Sequence, residues 1–212
     1  LWATPAGHAA LNPHFNGAGD MLIFSERAPA RRSAKNIWEG WRVHLAQFDA
    51  EAEGLQKLPY HKVLFDGTGG FYETYGFKGP DRFVFSRTTG GKHVDEILVS
   101  DLEGKNTDRI IGDPQNWDQH GSFAPSGDVL AFISSRGDAS WKAPDSKADT
   151  LTTELFLRKN GEIYQLTRFN SEGSEGLRYL VSDLDWDREG RRIVFQVAPI
   201  KLMQSLESDN AT

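Results

Sequence analysis

Four times along this 212-residue chain an aromatic residue, a turn rich in Gly, Pro or Asp, and a strand closing on Phe recur in the same order. The copies run from Phe15 through Asn16-Gly17-Ala18-Gly19-Asp20 to Phe24, and from Phe77 through Lys78-Gly79-Pro80-Asp81 to Phe85. They continue from Phe123 through Ala124-Pro125-Ser126-Gly127-Asp128 to Phe132, and from Trp186 through Asp187-Arg188-Glu189-Gly190 to Phe195. Aromatic and Phe stand nine, eight, nine and nine positions apart. Units repeated every few tens of residues cannot each bury a core alone, so they must stack on one another. Architecture is therefore more legible here than function.

The third copy lays out the unit. A strand ending at His120 to Phe123 enters the Pro-Ser-Gly-Asp turn, and Val129 to Ile133 follows. Then come Glu154 to Arg158 and Ile163 to Thr167 around the tight turn Lys159-Asn160-Gly161-Glu162. These are four short strands, reversed after the first and third by turn residues. The second copy gives Thr74 to Phe77, Arg82 to Phe85, Glu96 to Asp101 and Asp108 to Ile111. The first gives Asn12 to Phe15, Met21 to Phe24, Arg42 to Phe48 and Leu55 to Leu58, while the fourth supplies only Ser182 to Trp186 and Arg192 to Val197. With 21 Gly, 9 Pro and short runs of β-branched and aromatic residues, the chain reads as all-β.

The stretch from His120 to Arg136, HGSFAPSGDVLAFISSR, followed by Gly161 to Thr167, GEIYQLT, resembles a repeat of the TolB-like (WD40-like Pro-Asp repeat) β-propeller family. That family's signature is an aromatic, Ser-Pro-Asp-Gly, an apolar strand ending in Phe and Ser, and a late Leu-Thr. No copy here keeps Ser-Pro-Asp-Gly intact, and the second lacks one turn residue. The resemblance implies a β-propeller of four-stranded blades, with 11–58, 59–111 and 112–168 as complete blades. Residues 169–200 form a partial blade, 1–10 end a preceding one, and 201–212 are a polar tail. Three complete blades and two partial ones fit a fragment of a larger ring of about six to eight blades, and the opening Leu1-Trp2-Ala3-Thr4 reads as the start of an interior fragment or a processed chain. A four-bladed ring closed by the N-terminal strand is the alternative. The resemblance also implies a periplasmic or extracellular bacterial setting.

Composition narrows the function classes. The chain carries no Cys, which rules out disulfides, thiolate metal sites and a Cys nucleophile. The net charge of −6 is mixed along the sequence, against general nucleic-acid binding, which needs clustered cations. No run of about 18 apolar residues makes a membrane span.

In a blade whose strands alternate in direction, the second-to-third and fourth-to-first connections lie on one face. Arg27 to Gly40, Gly137 to Thr153, Pro59 to Glu73 and Arg168 to Val181 are all long, so they are expected to project together. Long loops on rigid scaffolds are where recognition usually sits. Arg31, Arg32, Trp38 and Trp141 supply charge and flat apolar surface there, suited to an anionic or glycan-like partner, or to a protein. The bland alternative is solvated loops whose Trp residues cover neighbouring strands.

His14 and His120 read as equivalent positions on the first strand of their blades, with Asn12 and Asp118 two residues before them. Together they form a polar binding candidate near the channel mouth, or a set of histidines hydrogen-bonded between blades. The two histidines belong to alternate blades, too far apart to share one ion whose bonds to nitrogen are about 2 Å. Asp183-Leu184-Asp185-Trp186-Asp187 lacks the Gly and Glu of a calcium loop, and no Gly-x-Ser-x-Gly elbow occurs. Neither a metal nor another cofactor is expected. The favoured expectation is a non-catalytic module docking a protein or glycan on its long-loop face. The alternative is an enzyme-associated propeller: a metal-dependent sugar lyase using His14, Asp118 and His120, or the gating propeller of a serine peptidase whose catalytic domain lies elsewhere. A structural subunit of an assembly is a third reading.

Overall fold

In the computed structural model the described residues are 6–27, 40–49, 51, 61–66, 71–88, 95–138, 141, 150–170 and 177–200. Contacts divide the chain into two compact units, 1–91 with 96–111 and 92–95 with 112–212. The strand expected at Leu55 to Leu58, the opening Leu1 to Thr4 and the tail after Ile200 lie outside the described residues.

The first unit holds two four-stranded antiparallel sheets. Strands β1 (Ala9–Phe15), β2 (Met21–Arg27), β3 (Trp41–Gln47) and β4 (His61–Phe65) pair in chain order. So do β5 (Tyr72–Lys78), β6 (Arg82–Thr88), β7 (Asp95–Asp101) and β8 (Thr107–Ile111). The turn chemistry follows from the sequence. Asn16 Oδ1 accepts the backbone N–H groups of Asp20 and Met21, both at 3.1 Å, and so imitates a backbone turn. Gly19 supplies the positive φ of +77° that this reversal needs.

The fourth strand of the first sheet corrects the sequence reading. It is His61–Phe65, inside the segment read as a connection to the next blade, and residues 61–65 complete the first sheet. Val63, Leu64 and Phe65 are the β-branched and aromatic residues a strand favours, whereas Leu55-Gln56-Lys57-Leu58 runs directly into Pro59. Phe65 stacks on Tyr72 at 5.5 Å and on Phe85 at 4.9 Å, joining the two sheets. Around it Ile23, Val43, Phe83 and Phe85 are buried, each such side chain worth roughly 1.5–3 kcal/mol relative to exposure.

Moving β4 also changes the connectors. The link from β4 to β5 is short, and the long one, 48–60, leaves β3 beside the β1–β2 turn, where Phe48 N donates to Asp20 O at 2.8 Å. Phe15 and Phe48 meet edge-on there at 4.9 Å. Since β2 and β3 run in opposite directions, the connector 28–40 leaves at the other end of the same sheet. The expectation that all long connectors share one face therefore fails in the first sheet.

The second unit holds β9 (Asp118–Phe123), β10 (Val129–Ser134), β11 (Glu154–Lys159) and β12 (Glu162–Gln165) as a four-stranded sheet, and β13 (Tyr179–Trp186) with β14 (Ile193–Pro199) as a two-stranded one. Asp187 repeats the role of Asn16, its Oδ1 accepting from Arg191 N at 2.7 Å and Arg192 N at 3.1 Å. Ile133, Leu155 and Val181 form the buried centre between these sheets, with Ile193 and Phe195 packed against it. Thr153 clips them together, donating to Val181 O at 2.6 Å and accepting from Val181 N at 2.8 Å.

The first strand of every sheet carries a register shift against the second: at Leu11/His14 in β1, at Thr74/Gly76 in β5, opposite Ala131/Ile133 in β9 and at Ser182/Leu184 in β13. Such bulges bend a strand and re-aim its side chains. Counting back three residues from the repeat aromatic gives Asn12, His120 and Asp183, at φ of +48°, +51° and +35°. Asn, Asp and His are the residues that most readily tolerate this left-handed backbone. In β5 the positive φ falls instead on Gly76, whose α-carbon faces the His14 ring.

Candidate functional site

The bulged first strands bring polar side chains together between neighbouring sheets within each unit. In the first unit, Asn12 Nδ2 donates to Glu73 Oε1 at 2.5 Å, and Thr74 Oγ1 donates to the carbonyl of Asn12 at 2.8 Å. Tyr75 OH donates to Glu73 Oε2 at 2.7 Å and lies 2.8 Å from Ser86 Oγ. Glu73, Tyr75 and Ser86 are all buried, and their polar atoms satisfy one another as burial requires.

In the second unit, His120 Nδ1 lies 3.3 Å from Asp183 Oδ1. The His120 side chain is 17% exposed and that of Asp183 is 59% exposed, so this pair faces solvent. The hydrogen bond from His120, helped by its charge, holds the Asp183 carboxyl below the ordinary carboxylate value.

These contacts revise the equivalence read from the sequence. His14 pairs with Ile23 in β2, as Ser122 pairs with Ala131 in β10, so the counterpart of His120 is Asn12 and not His14. The sequence count agrees, since His14 stands one residue before the repeat aromatic Phe15 and His120 three before Phe123. Asp118 is fully buried, and both its oxygens accept from Arg136 Nη2, at 2.8 and 2.7 Å. Burial pushes its carboxyl upward and the Arg136 guanidinium opposes that. Arg136 in turn lies over the Phe132 ring, 5.4 Å from its centre.

Trp141 is 1% exposed and packs edge-on against Trp117 at 6.4 Å, with Leu151 beside them. Its ring is core material and not an exposed anchor, because covering a Trp from water favours the fold more than presenting it does. Arg31, Arg32 and Trp38 lie outside the described residues.

A buried cluster that the sequence reading missed surrounds Glu26. Its carboxylate meets His8 Nδ1 and Arg42 Nη2, and lies 2.9 Å from His44 Nε2. Burial raises the Glu26 carboxyl, yet these three partners together hold it below the ordinary value. Only the pairing of β2 with β3, which sets Glu26 opposite Arg42, makes the cluster visible.

No protein-family model matches the chain, and no curated protein matches it. Solved structures do. An oligogalacturonate lyase in complex with manganese is similar over 94% of this chain and 53% of its own, with a TM-score of 0.56 at 13% identity. An oligogalacturonate lyase from Vibrio parahaemolyticus gives a TM-score of 0.55 at 12% identity over 91% of this chain and 48% of its own. A TolB-like protein from Agrobacterium tumefaciens gives 0.51 at 15% identity over 74% and 50%. The chain has the β-propeller fold. Among the described residues, three four-stranded sheets and one two-stranded sheet are blades of a partial propeller, and the chain spans about half the length of these three structures.

The manganese in a structure of similar fold prompts the question of a metal in this propeller. Among the described residues no three His, Cys, Asp or Glu side chains converge in a geometry that could hold an ion. Of the lyase-type set, Asp118 is bound on both oxygens by Arg136 and so does not fit a metal ligand.

Proposed function

We propose that this propeller is a non-catalytic interaction module that docks a protein or glycan partner outside the cytoplasm. The observation that supports the reading is the bulge residue held left-handed at the same place in three blades: Asn12, His120 and Asp183. Strained backbone kept at repeated positions is a mark of sites whose side chains must be aimed. Here the aimed groups are an amide, an imidazole and a carboxylate, which hydrogen-bond hydroxyls and peptide groups alike. Within each unit, blade-to-blade contacts at this level tie neighbouring sheets together and give recognition a preformed frame. The connector 28–40, with Arg31, Arg32 and Trp38, remains the proposed anchor, and buried Trp141 is no part of it. No helix among the described residues is long and apolar enough to cross a membrane.

A glycan array and a pull-down with the triple variant Arg31→Ala, Arg32→Ala, Trp38→Ala test the anchor. The variant should lose the partner that the unaltered chain retains while its unfolding midpoint stays within a few degrees. Retained binding discards the anchor.

The second reading, an enzyme-associated propeller, draws on the comparisons. The two lyases align over more of this chain than the TolB-like protein does, and prolyl oligopeptidase B from Galerina marginata aligns over 91% of it with a TM-score of 0.53 at 10% identity. A stoichiometric divalent metal retained by the purified chain would favour the lyase form. A nucleophile elbow in polypeptide continuous with this propeller would favour the peptidase form.

A further inference from the structure

An asparagine followed by glycine is open to attack by its own chain, because the glycine amide nitrogen can reach the asparagine side-chain carbonyl with no β-carbon to crowd the approach. The chain has two such pairs, Asn16-Gly17 and Asn160-Gly161. Both stand in tight turns, and the fold treats them in opposite ways.

Asn16 is 8% exposed. Its Oδ1 accepts from Asp20 N and Met21 N, both at 3.1 Å, and its Nδ2 donates to Asp20 Oδ1 at 2.7 Å. Its backbone is held as well, N donating to Met21 O and O accepting from Gly19 N, each at 3.0 Å. Swinging this amide toward Gly17 N dismantles the turn first, so reaction there waits on local opening.

Asn160 and Gly161 are exposed, with φ of +52° and +87°. Lys159 pairs with Glu162 across them, a two-residue reversal of β11 into β12 with positive φ at both centres. Among the described residues, neither the Asn160 side chain nor the Gly161 N–H has a hydrogen-bond partner. A β-carbon at Gly161 would meet nothing within 4 Å, so water has access around the amide. Only the torsions of the turn tip need to change for the two groups to meet.

We propose that Asn160 is a site of spontaneous covalent modification, deamidating through a cyclic imide while Asn16 is spared by its turn. Gly161 N attacks Asn160 Cγ. The N–Cγ bond forms, the Cγ–Nδ2 bond breaks, and Nδ2 leaves as ammonia with the proton of the Gly161 amide. Water then opens the imide at either carbonyl. Opening at Cγ gives aspartate, which keeps the length of the turn and tolerates its left-handed backbone. Opening at the main-chain carbonyl gives isoaspartate, which routes the backbone through Cγ and lengthens the turn by a carbon. Turn length fixes hairpin register, so isoaspartate loosens the pairs Lys159–Glu162 and Arg158–Ile163. Either product adds a carboxylate at the tip. The site stands apart from the proposed anchor on the connector 28–40.

The test holds the 212-residue chain folded at mildly alkaline pH, with peptide mapping over weeks to separate asparagine, aspartate and isoaspartate at both positions. Asn160 should convert about tenfold faster than Asn16, or more. In guanidinium, where both turns are lost, the two rates should come within about threefold of each other. The isolated isoaspartyl form should exchange its β11–β12 amides about tenfold faster than the parent, with β9–β10 unchanged. Asn160→Gly keeps the left-handed backbone and should abolish the fast-forming product. Equal rates at the two positions of the folded chain overturn the proposal, as does an Asn160 that stays intact for as long as the unfolded chain takes to convert. A preference for Asn160 that survives in guanidinium overturns it too, because local sequence and not the turn would then set the rate. Unchanged exchange in the isoaspartyl form overturns the effect on the hairpin.

Discussion

His120 Nδ1 lies 3.3 Å from Asp183 Oδ1, and the two residues hold left-handed backbone at the same repeat position in consecutive blades. Each is the extra residue of a bulge, and each bulge turns its side chain toward the other blade. The pair thus joins two strained positions across a blade boundary.

The pair sets a pH dependence. The folded Asp183 carboxyl is held below its ordinary value of 3.8, first by the hydrogen bond from His120 and then by its charge. A carboxyl with a lowered folded value stabilises the fold above the unfolded value, and the contribution disappears as pH falls through the folded one. Denaturant unfolding of the wild type and Asp183→Asn should therefore differ above the ordinary carboxylate value of 3.8 and converge as the pH falls below it through the lowered folded value. Asn tolerates the same backbone, so the comparison isolates charge. A difference independent of pH would show that the carboxylate is not held by His120.

Backbone strain at His120 predicts an inverted substitution order. Left-handed backbone costs a residue with a β-carbon roughly 1–2 kcal/mol, and Gly escapes that cost. Both His120→Ala and His120→Gly lose the contact with Asp183, so Gly should be the more stable by about 1 kcal/mol. In a regular strand the order reverses, because Gly there is the weaker residue. Equilibrium unfolding of the two variants reads the sign directly.

The same bulges explain what could be read from the sequence and what could not. Aromatic, turn and Phe recur eight or nine positions apart because all four first strands must reverse and repack alike, and that regularity gave the blades and their turns. An inserted residue leaves the apolar pattern on either side intact while shifting the register by one. The likeness of His14 to His120 was a separate miscount: the two stand one and three residues before their repeat aromatics, and the place of His120 is taken by Asn12. The outermost strand His61–Phe65 escaped notice because only part of it is covered, leaving a short apolar signal that competes with Leu55 and Leu58. Glu26 with His8, Arg42 and His44 depends on cross-strand pairing and has no local pattern at all.

Trp141 separates a packing role from a binding one. Buried against Trp117 and Leu151, its removal should cost about 3–5 kcal/mol, the usual range for a large aromatic cut to Ala in a core. Affinity of the folded fraction for any partner should change less than twofold. Trp141→Phe retains most of the contact and should recover much of the lost stability. A Trp141→Ala variant that unfolds as the wild type does and loses its partner would return the residue to the binding surface.

Asp118 and Arg136 give the sharpest test of whether the polar residues of β9 serve the fold. The carboxylate is fully buried and both its oxygens are bound by one guanidinium nitrogen, which itself lies over Phe132. Removing either partner leaves the other charge uncompensated, so Asp118→Ala should destabilise by about 3–5 kcal/mol. Replacing both, as Asp118→Leu with Arg136→Met, should cost far less than the sum of the single changes, because no orphan charge remains. Met keeps an apolar stem over Phe132 and preserves the packing. Additive losses in the double-mutant cycle would mean that the two groups act independently, and Asp118 would again be a candidate ligand.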